Sequence, residues 1–184
     1  DEVRPGLPAG GRARLPPVPL DRCHLRHTVG LGDPLVPEDI PPGAAVADGL
    51  PQDLRSAIRA CGLRYFKVKL TASADADLDR LARLAGLLAR EAPDGYFLTL
   101  DGNENFADIE AFRAFWERVR AERPLERLAA STLAVEQPVH RGRALDASAA
   151  SALKAWRDRP PLIIDESDGA LDDLPRALEA GYDG

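Results

Sequence analysis

Four apolar runs in this chain each close on a charged side chain, at nearly even spacing. They are Tyr65-Phe66-Lys67-Val68-Lys69-Leu70, Tyr96-Phe97-Leu98-Thr99-Leu100-Asp101, Thr132-Leu133-Ala134-Val135-Glu136 and Pro161-Leu162-Ile163-Ile164-Asp165. Short, almost wholly apolar runs alternating with helical patterns read as strands of a parallel sheet buried on both faces. From Lys67 to Asp101 to Glu136 to Asp165 the steps are about 30 to 35 residues, close to the roughly 31 per βα unit of an eight-unit barrel. The expected fold class is therefore α/β: a (β/α)8 TIM-type barrel, incomplete here, with about strands 1 to 5 and their helices. Such a barrel gathers the C-terminal ends of its strands at one mouth, so charged residues far apart in sequence converge there.

Length sets how much of that barrel fits. A closed barrel needs about 250 residues, and the chain has 184, with no Met, even at position 1. Residues 1–20 hold Pro5, Pro8, Pro16, Pro17 and Pro19 among several glycines, which sustains neither helix nor central strand. They read as a linker or the remnant of a preceding domain. Residues 21–184 read as a partial barrel domain, with Asp183-Gly184 stopping where a sixth strand would begin. A larger protein is expected.

Composition narrows the partners. A hydrophobic content of 45% with 29% charged residues is that of a folded globular domain. A net charge of −6 argues against a nucleic-acid surface, which needs clustered Lys and Arg. No run approaches the roughly 18 apolar residues of a membrane span, and the N-terminus has no secretory apolar region. A soluble, cytoplasmic protein is expected, with Cys23 and Cys61 as isolated buried thiols.

Between the strands the periodicity is helical. An amphipathic stretch spans Leu54 to Ala60, with Gly62 as its stop; Leu78, Leu81, Leu84 and Leu88 mark one buried stripe; Ile109, Phe112, Phe115, Trp116 and Val119 mark another. A further helix begins near Asp146 and turns Leu153 and Trp156 inward, and a last one spans Asp172 to Ala180. Cys23 to Val29 is expected as the first strand, although it ends on no distinctive group. His24 and His27 lie three apart on it and so face opposite sides.

Lys67 and Lys69 are two apart on one strand and point to the same face. Desolvation and mutual repulsion should both favour the neutral amine and lower the lysine pKa, which suits proton transfer near neutral pH. Snorkelling lysines at a strand end are the bland alternative. Asp101, Glu136 and Asp165 add three carboxylates and no soft ligand, a donor set that selects a hard divalent cation over zinc. Alone, each would read as a turn or cap residue; their recurrence across three strand ends sets them apart.

Phe66-Lys67-Val68-Lys69, Asp101-Gly102-Asn103, Val135-Glu136-Gln137-Pro138 and Ile164-Asp165-Glu166-Ser167 together resemble the enolase superfamily, over residues 62–184. A third carboxylate that is Asp followed by Glu resembles its muconate-lactonizing subgroup more than the mandelate racemase subgroup. The resemblance implies a Mg2+-dependent enzyme, with Mn2+ as a substitute, that removes the proton α to a substrate carboxylate through a metal-stabilised enediolate, as the superfamily does with a Lys or His base. Racemisation or epimerisation, β-elimination and cycloisomerisation are all outcomes of that step. Lys69 would be the general acid or base; Lys67 would lower its pKa and contact the substrate carboxylate; Asp101, Glu136 and Asp165 would bind the metal. Asn103 and Glu166 would orient ligands or lysine. His140, in the loop after Glu136, would touch substrate or, more blandly, solvent. The full-length protein is expected to be a homo-oligomer acting on a small carboxylate, with no nucleic-acid or membrane partner.

Several features depart from that family. The step from Asp101 to Glu136 is long, with Phe106 to Arg127 as extra helix and loop, and Gly102 stands where Ala is commoner. The family's capping domain and its opposing base on the sixth or seventh strand are not in these residues, so the fragment alone is expected to be inactive. The alternative is a non-catalytic barrel fragment or pseudoenzyme retaining the metal-site motifs. A different metal-dependent barrel enzyme, such as an aldolase, would also use three carboxylates but would not require the Lys-x-Lys strand.

Overall fold

In a computed structural model, which describes residues 18–184, five strands form one parallel sheet in the order β1-β2-β3-β4-β5. The strands are β1 (Arg26–Val29), β2 (Tyr65–Lys69), β3 (Phe97–Asp101), β4 (Thr132–Glu136) and β5 (Leu162–Ile163). The helices are α1 (Leu54–Cys61), α2 (Ala74–Glu91), α3 (Ile109–Ala121), α4 (Glu126–Ala130), α5 (Arg141–Ala144), α6 (Ala147–Ala155) and α7 (Asp173–Ala180). The chain is thus α/β, with helices between consecutive parallel strands. The expected linker at 1–20 lies mostly outside the described residues; positions 18–20 are exposed and lack regular structure.

Local chemistry accounts for the helix limits. Asp53, Asp108 and Asp146 precede α1, α3 and α6 in extended backbone, and each carboxylate accepts a hydrogen bond from the amide three residues on, at 3.0, 2.8 and 2.8 Å. Gly62 ends α1 in the left-handed conformation, φ 62°. Leu78, Leu81, Leu84 and Leu88 of α2 are all buried, and each such side chain contributes about 1.5–3 kcal/mol of apolar burial.

The sheet's two faces differ. Phe66, Val68, Leu98, Leu100, Val135 and Leu162 are almost fully buried under the helices. The other face carries Arg26, Tyr65, Lys67, Lys69, Phe97, Thr99, Asp101, Ala134 and Glu136, and its lower part is open: Phe97 remains 45% exposed. Burial on both faces was the expectation from sequence. Among the described residues no helix covers this second face, which is why it is only half-buried.

Three details correct the sequence reading. The first strand starts at Arg26 rather than Cys23; His24, ahead of it, packs its ring against Tyr65 in a tilted arrangement, centroids 4.7 Å apart. Cys23 and Cys61 are exposed rather than buried, one ahead of β1 and one on the outer side of the last turn of α1. The strand around Leu162 is only two residues long, so Asp165 belongs to the following loop. Asp183 and Gly184 run alongside β5, with Asp183 N donating to Leu162 O and Ile164 N to Gly184 O.

Candidate functional site

Strand register brings three of the charged residues into one row. Lys69 pairs with Asp101 and Asp101 with Glu136, so their Cα atoms lie side by side across β2, β3 and β4 at the C-terminal edge of the open face. Lys67 stands two residues below, opposite Thr99. Parallel strands about 4.8 Å apart leave its long side chain able to reach diagonally to both carboxylates. Lys67 Nζ lies 2.9 Å from Asp101 Oδ2 and 2.6 Å from Glu136 Oε1, and Lys69 Nζ lies 3.5 Å from Asp101 Oδ2.

The electrostatics follow from that bridging. Burial alone would lower the Lys67 pKa, but its hydrogen bond to Glu136 and its close ion pair with Asp101 outweigh it and the net shift is upward. The expected lowering is therefore corrected for Lys67: the sequence reading placed two ammoniums side by side, and the fold puts carboxylates between them. Burial pushes the Glu136 pKa up, helped by a hydrogen bond with Asp165 and the charge of Asp101 and opposed by Lys67. Asp101 is 1% exposed; its Oδ1 accepts from Asn103 N at 2.9 Å, while its Oδ2 has the ion pairs but no directed hydrogen bond.

Asn103 and Glu166 join the row. Lys69 Nζ donates to Asn103 Oδ1 at 2.7 Å, and Asn103 Nδ2 reaches Glu166 Oε1 at 3.5 Å. Glu166 Oε2 is buried without a partner. Lys67, Lys69, Asp101, Glu136, Asn103 and Glu166 are thus linked through side-chain contacts, while Asp165 is tied nearby through its backbone amide, which donates to Gln137 Oε1 at 3.0 Å. His140 is not: it is exposed and caps α5, its Nδ1 accepting from Gly142 N at 3.1 Å.

Among the described residues four non-glycine positions have positive φ, and all follow the ends of β2, β3 and β4: Ala72 at 60°, Asn103 at 44°, Glu104 at 63° and Gln137 at 36°. Such conformations cost about 1–3 kcal/mol each and persist where the surroundings enforce them, commonly at functional sites. Here the enforcement is visible. A Cβ on Gly102 would stand 2.5 Å from Pro138 Cα, so only glycine lets the β3 loop press against the Gln137-Pro138 backbone. Glu104 then receives Arg141 through its backbone amide at 2.6 Å and its guanidinium at 2.8 and 2.9 Å. That pair ties the β3 and β4 loops together beside the row.

Gln137, Glu104 and Arg141 were not singled out by sequence. For Gln137 a signal existed: an amide between a strand-end carboxylate and a proline, where the chain turns from sheet to loop. The Glu104–Arg141 pair, 37 positions apart in loops, had none.

Among the described residues no three His, Cys, Asp or Glu side chains form a ready chelate; Lys67 Nζ holds the space between Asp101 and Glu136. The chemistry of the set nevertheless fits a hard dication. All donors are oxygens, two buried carboxylate oxygens, Asp101 Oδ2 and Glu166 Oε2, lack a directed hydrogen bond, and carboxylates outnumber ammonium groups by two. The arrangement offers carboxylate oxygens to a cation and holds a lysine amine on the same face. Comparison with protein-family models, with curated proteins and with solved structures gives no match. No helix among the described residues is long and apolar enough to cross a membrane.

Proposed function

We propose that these residues are the first five βα units of an enolase-superfamily barrel, nearest the muconate-lactonizing subgroup, whose activity is Mg2+-dependent removal of the proton α to a substrate carboxylate. The fold part rests on strand order and coverage. A doubly wound sheet reverses its order at a switch point and carries helices on both faces, whereas this sheet runs consecutively and is helix-covered on one. The site part rests on one observation: Lys69, Asp101 and Glu136 in a single row at the strand ends, with Lys67 beneath.

Asp101, Glu136 and Asp165 would hold Mg2+, with Mn2+ able to replace it. When bound, the ion supplies positive charge where the substrate carboxylate gains electron density on losing its α-proton. Lys69 Nζ, held by Asn103, takes that proton or returns it. Lys67, protonated because its pKa is raised, offers a fixed positive charge to the substrate carboxylate. The reaction class is that of an isomerase or lyase, with a small carboxylate as substrate. Incubation in D2O with Mg2+ and a panel of acid sugars, N-acyl amino acids and dipeptides is expected to exchange the α-proton, read by 1H NMR. Unchanged exchange in Lys69→Ala would contradict the role of Lys69.

A second reading has its own observation. Lys67 already compensates Asp101 and Glu136, and the row then resembles a structural ion-pair network in a non-catalytic barrel. Absence of both exchange and cation binding selects that reading.

A further inference from the structure

The side chain of Gln137 is fully buried, and all four of its conventional hydrogen-bonding positions are used. Its Nε2 donates to Val139 O at 2.7 Å and to Ser167 Oγ at 2.8 Å. Its Oε1 accepts from Asp165 N at 3.0 Å and from Ser167 N at 3.1 Å. An amide has two donors and two acceptor lone pairs, so the orientation is fixed: reversing it would aim N–H groups at two backbone amides. The backbone of Gln137 is tied as well, its N donating to Ile163 O and its O accepting from Glu104 N.

These contacts solve a problem that the short β5 creates. β5 stops at Ile163, and Asp165 sits beyond the last ladder pair on an exposed loop, where nothing in the sheet sets its distance from Glu136. Gln137 is the residue next to Glu136 and grips the amide of Asp165 directly. We propose that Gln137 is a positioning residue, whose buried amide holds Asp165 against Glu136 so that the two carboxylates can share one divalent cation. The positive φ of Gln137 shows what the turn must absorb to place both the carboxylate and the amide. Orienting groups of this kind typically change metal affinity 10–100-fold when removed. The inference rests on the cation-binding reading of the site above.

The test compares Mn2+ affinity, by electron paramagnetic resonance titration, with melting temperature for the parent, Gln137→Met, Ser167→Ala and Leu84→Ala. Gln137→Met keeps the side-chain length and removes all four hydrogen bonds, while Ser167→Ala removes only the one accepted by its hydroxyl. Leu84 is a buried core residue of α2, remote in sequence from the site, and serves as the stability control. The expected result is at least tenfold weaker Mn2+ binding in Gln137→Met, about threefold in Ser167→Ala, and parent affinity in Leu84→Ala despite its lower melting temperature. Parent-like affinity in folded Gln137→Met overturns the positioning role alone. If Gln137→Met does not fold, Ser167→Ala decides in the same way: weakened affinity supports the role and unchanged affinity overturns it. A parent protein that binds no Mn2+ overturns the cation reading and this inference together.

Discussion

Lys67 Nζ lies 2.6 Å from Glu136 Oε1, a contact that runs from β2 to β4 over the intervening β3. Asp101 on β3 is the third member, 2.9 Å from the same nitrogen. One ammonium therefore compensates two carboxylates that are almost wholly removed from water, 1% and 6% exposed.

Removing that ammonium should be costly. Lys67→Met leaves Glu136 buried without an ammonium and Asp101 with only Lys69, at 3.5 Å. Breaking one side of such a pair costs about 3–5 kcal/mol, and the 16% exposure of Lys67 places the expectation near the lower end, about 3 kcal/mol. Urea unfolding measures it. A loss under about 1 kcal/mol would mean that water already shields the two carboxylates.

Gly102→Ala should destabilise by about 1–3 kcal/mol, the usual range for overpacking a tight contact. The obstacle is backbone, Pro138 Cα at 2.5 Å and Gln137 O at 3.1 Å, and cannot rotate away. Because Asp101 precedes this glycine and Glu136 precedes Gln137, the same substitution should also weaken Mn2+ binding. A neutral Gly102→Ala melt would show that the two loops are farther apart than the contact implies.

Asn103 separates backbone fit from hydrogen bonding. Its φ of 44° suits glycine, so Asn103→Gly should leave the melting temperature within a few degrees of the parent. The acceptor for Lys69 Nζ is lost, and α-proton exchange should fall about 10–100-fold. Exchange at the parent rate would remove Asn103 from the site.

Acid should weaken the loop strap before it reaches zero charge. Hydrogen bonds from Arg141, opposed by burial and aided by its charge, hold the Glu104 carboxyl at about 2, against an ordinary 4.5. With the folded value below the unfolded one, the contribution to stability is fully present above about pH 4.5 and is lost as pH falls towards 2. Glu104→Gln lacks it, so the melting-temperature gap between parent and variant should be constant above pH 4.5 and close on acidification. A gap independent of pH would assign the strap's value to packing instead.

Much of this was legible in the chain. The Leu78-Leu81-Leu84-Leu88 and Ile109-Phe112-Trp116-Val119 stripes, Asp146 and Gly62 carry their roles in local chemistry, so α1, α2, α3 and α6 fall within a few residues of expectation. Lys69, Asp101 and Glu136 each end a strand as read, because an apolar run that must be buried stops where a charge can reach water or a partner. Asp165 fell two residues beyond its strand, since β5 pairs through only Leu162 and Ile163. The lysine pKa went the wrong way for a related reason. Spacing along one strand shows Lys67 beside Lys69 but not the cross-strand register that sets Asp101 and Glu136 against them. The Gln137 amide and the Glu104–Arg141 pair act between loops, and no local pattern encodes a loop-to-loop contact.

The site most directly stands or falls on thermal unfolding of the protein with and without MgCl2, alongside Asp101→Asn. Binding to the folded state at about 100 times the dissociation constant adds about 2.7 kcal/mol, worth several degrees for a chain of this size. A rise of that order in the parent, absent from Asp101→Asn, is the predicted result. No rise in the parent, or the same rise in Asp101→Asn, would contradict a divalent-cation site at the ends of β3 and β4.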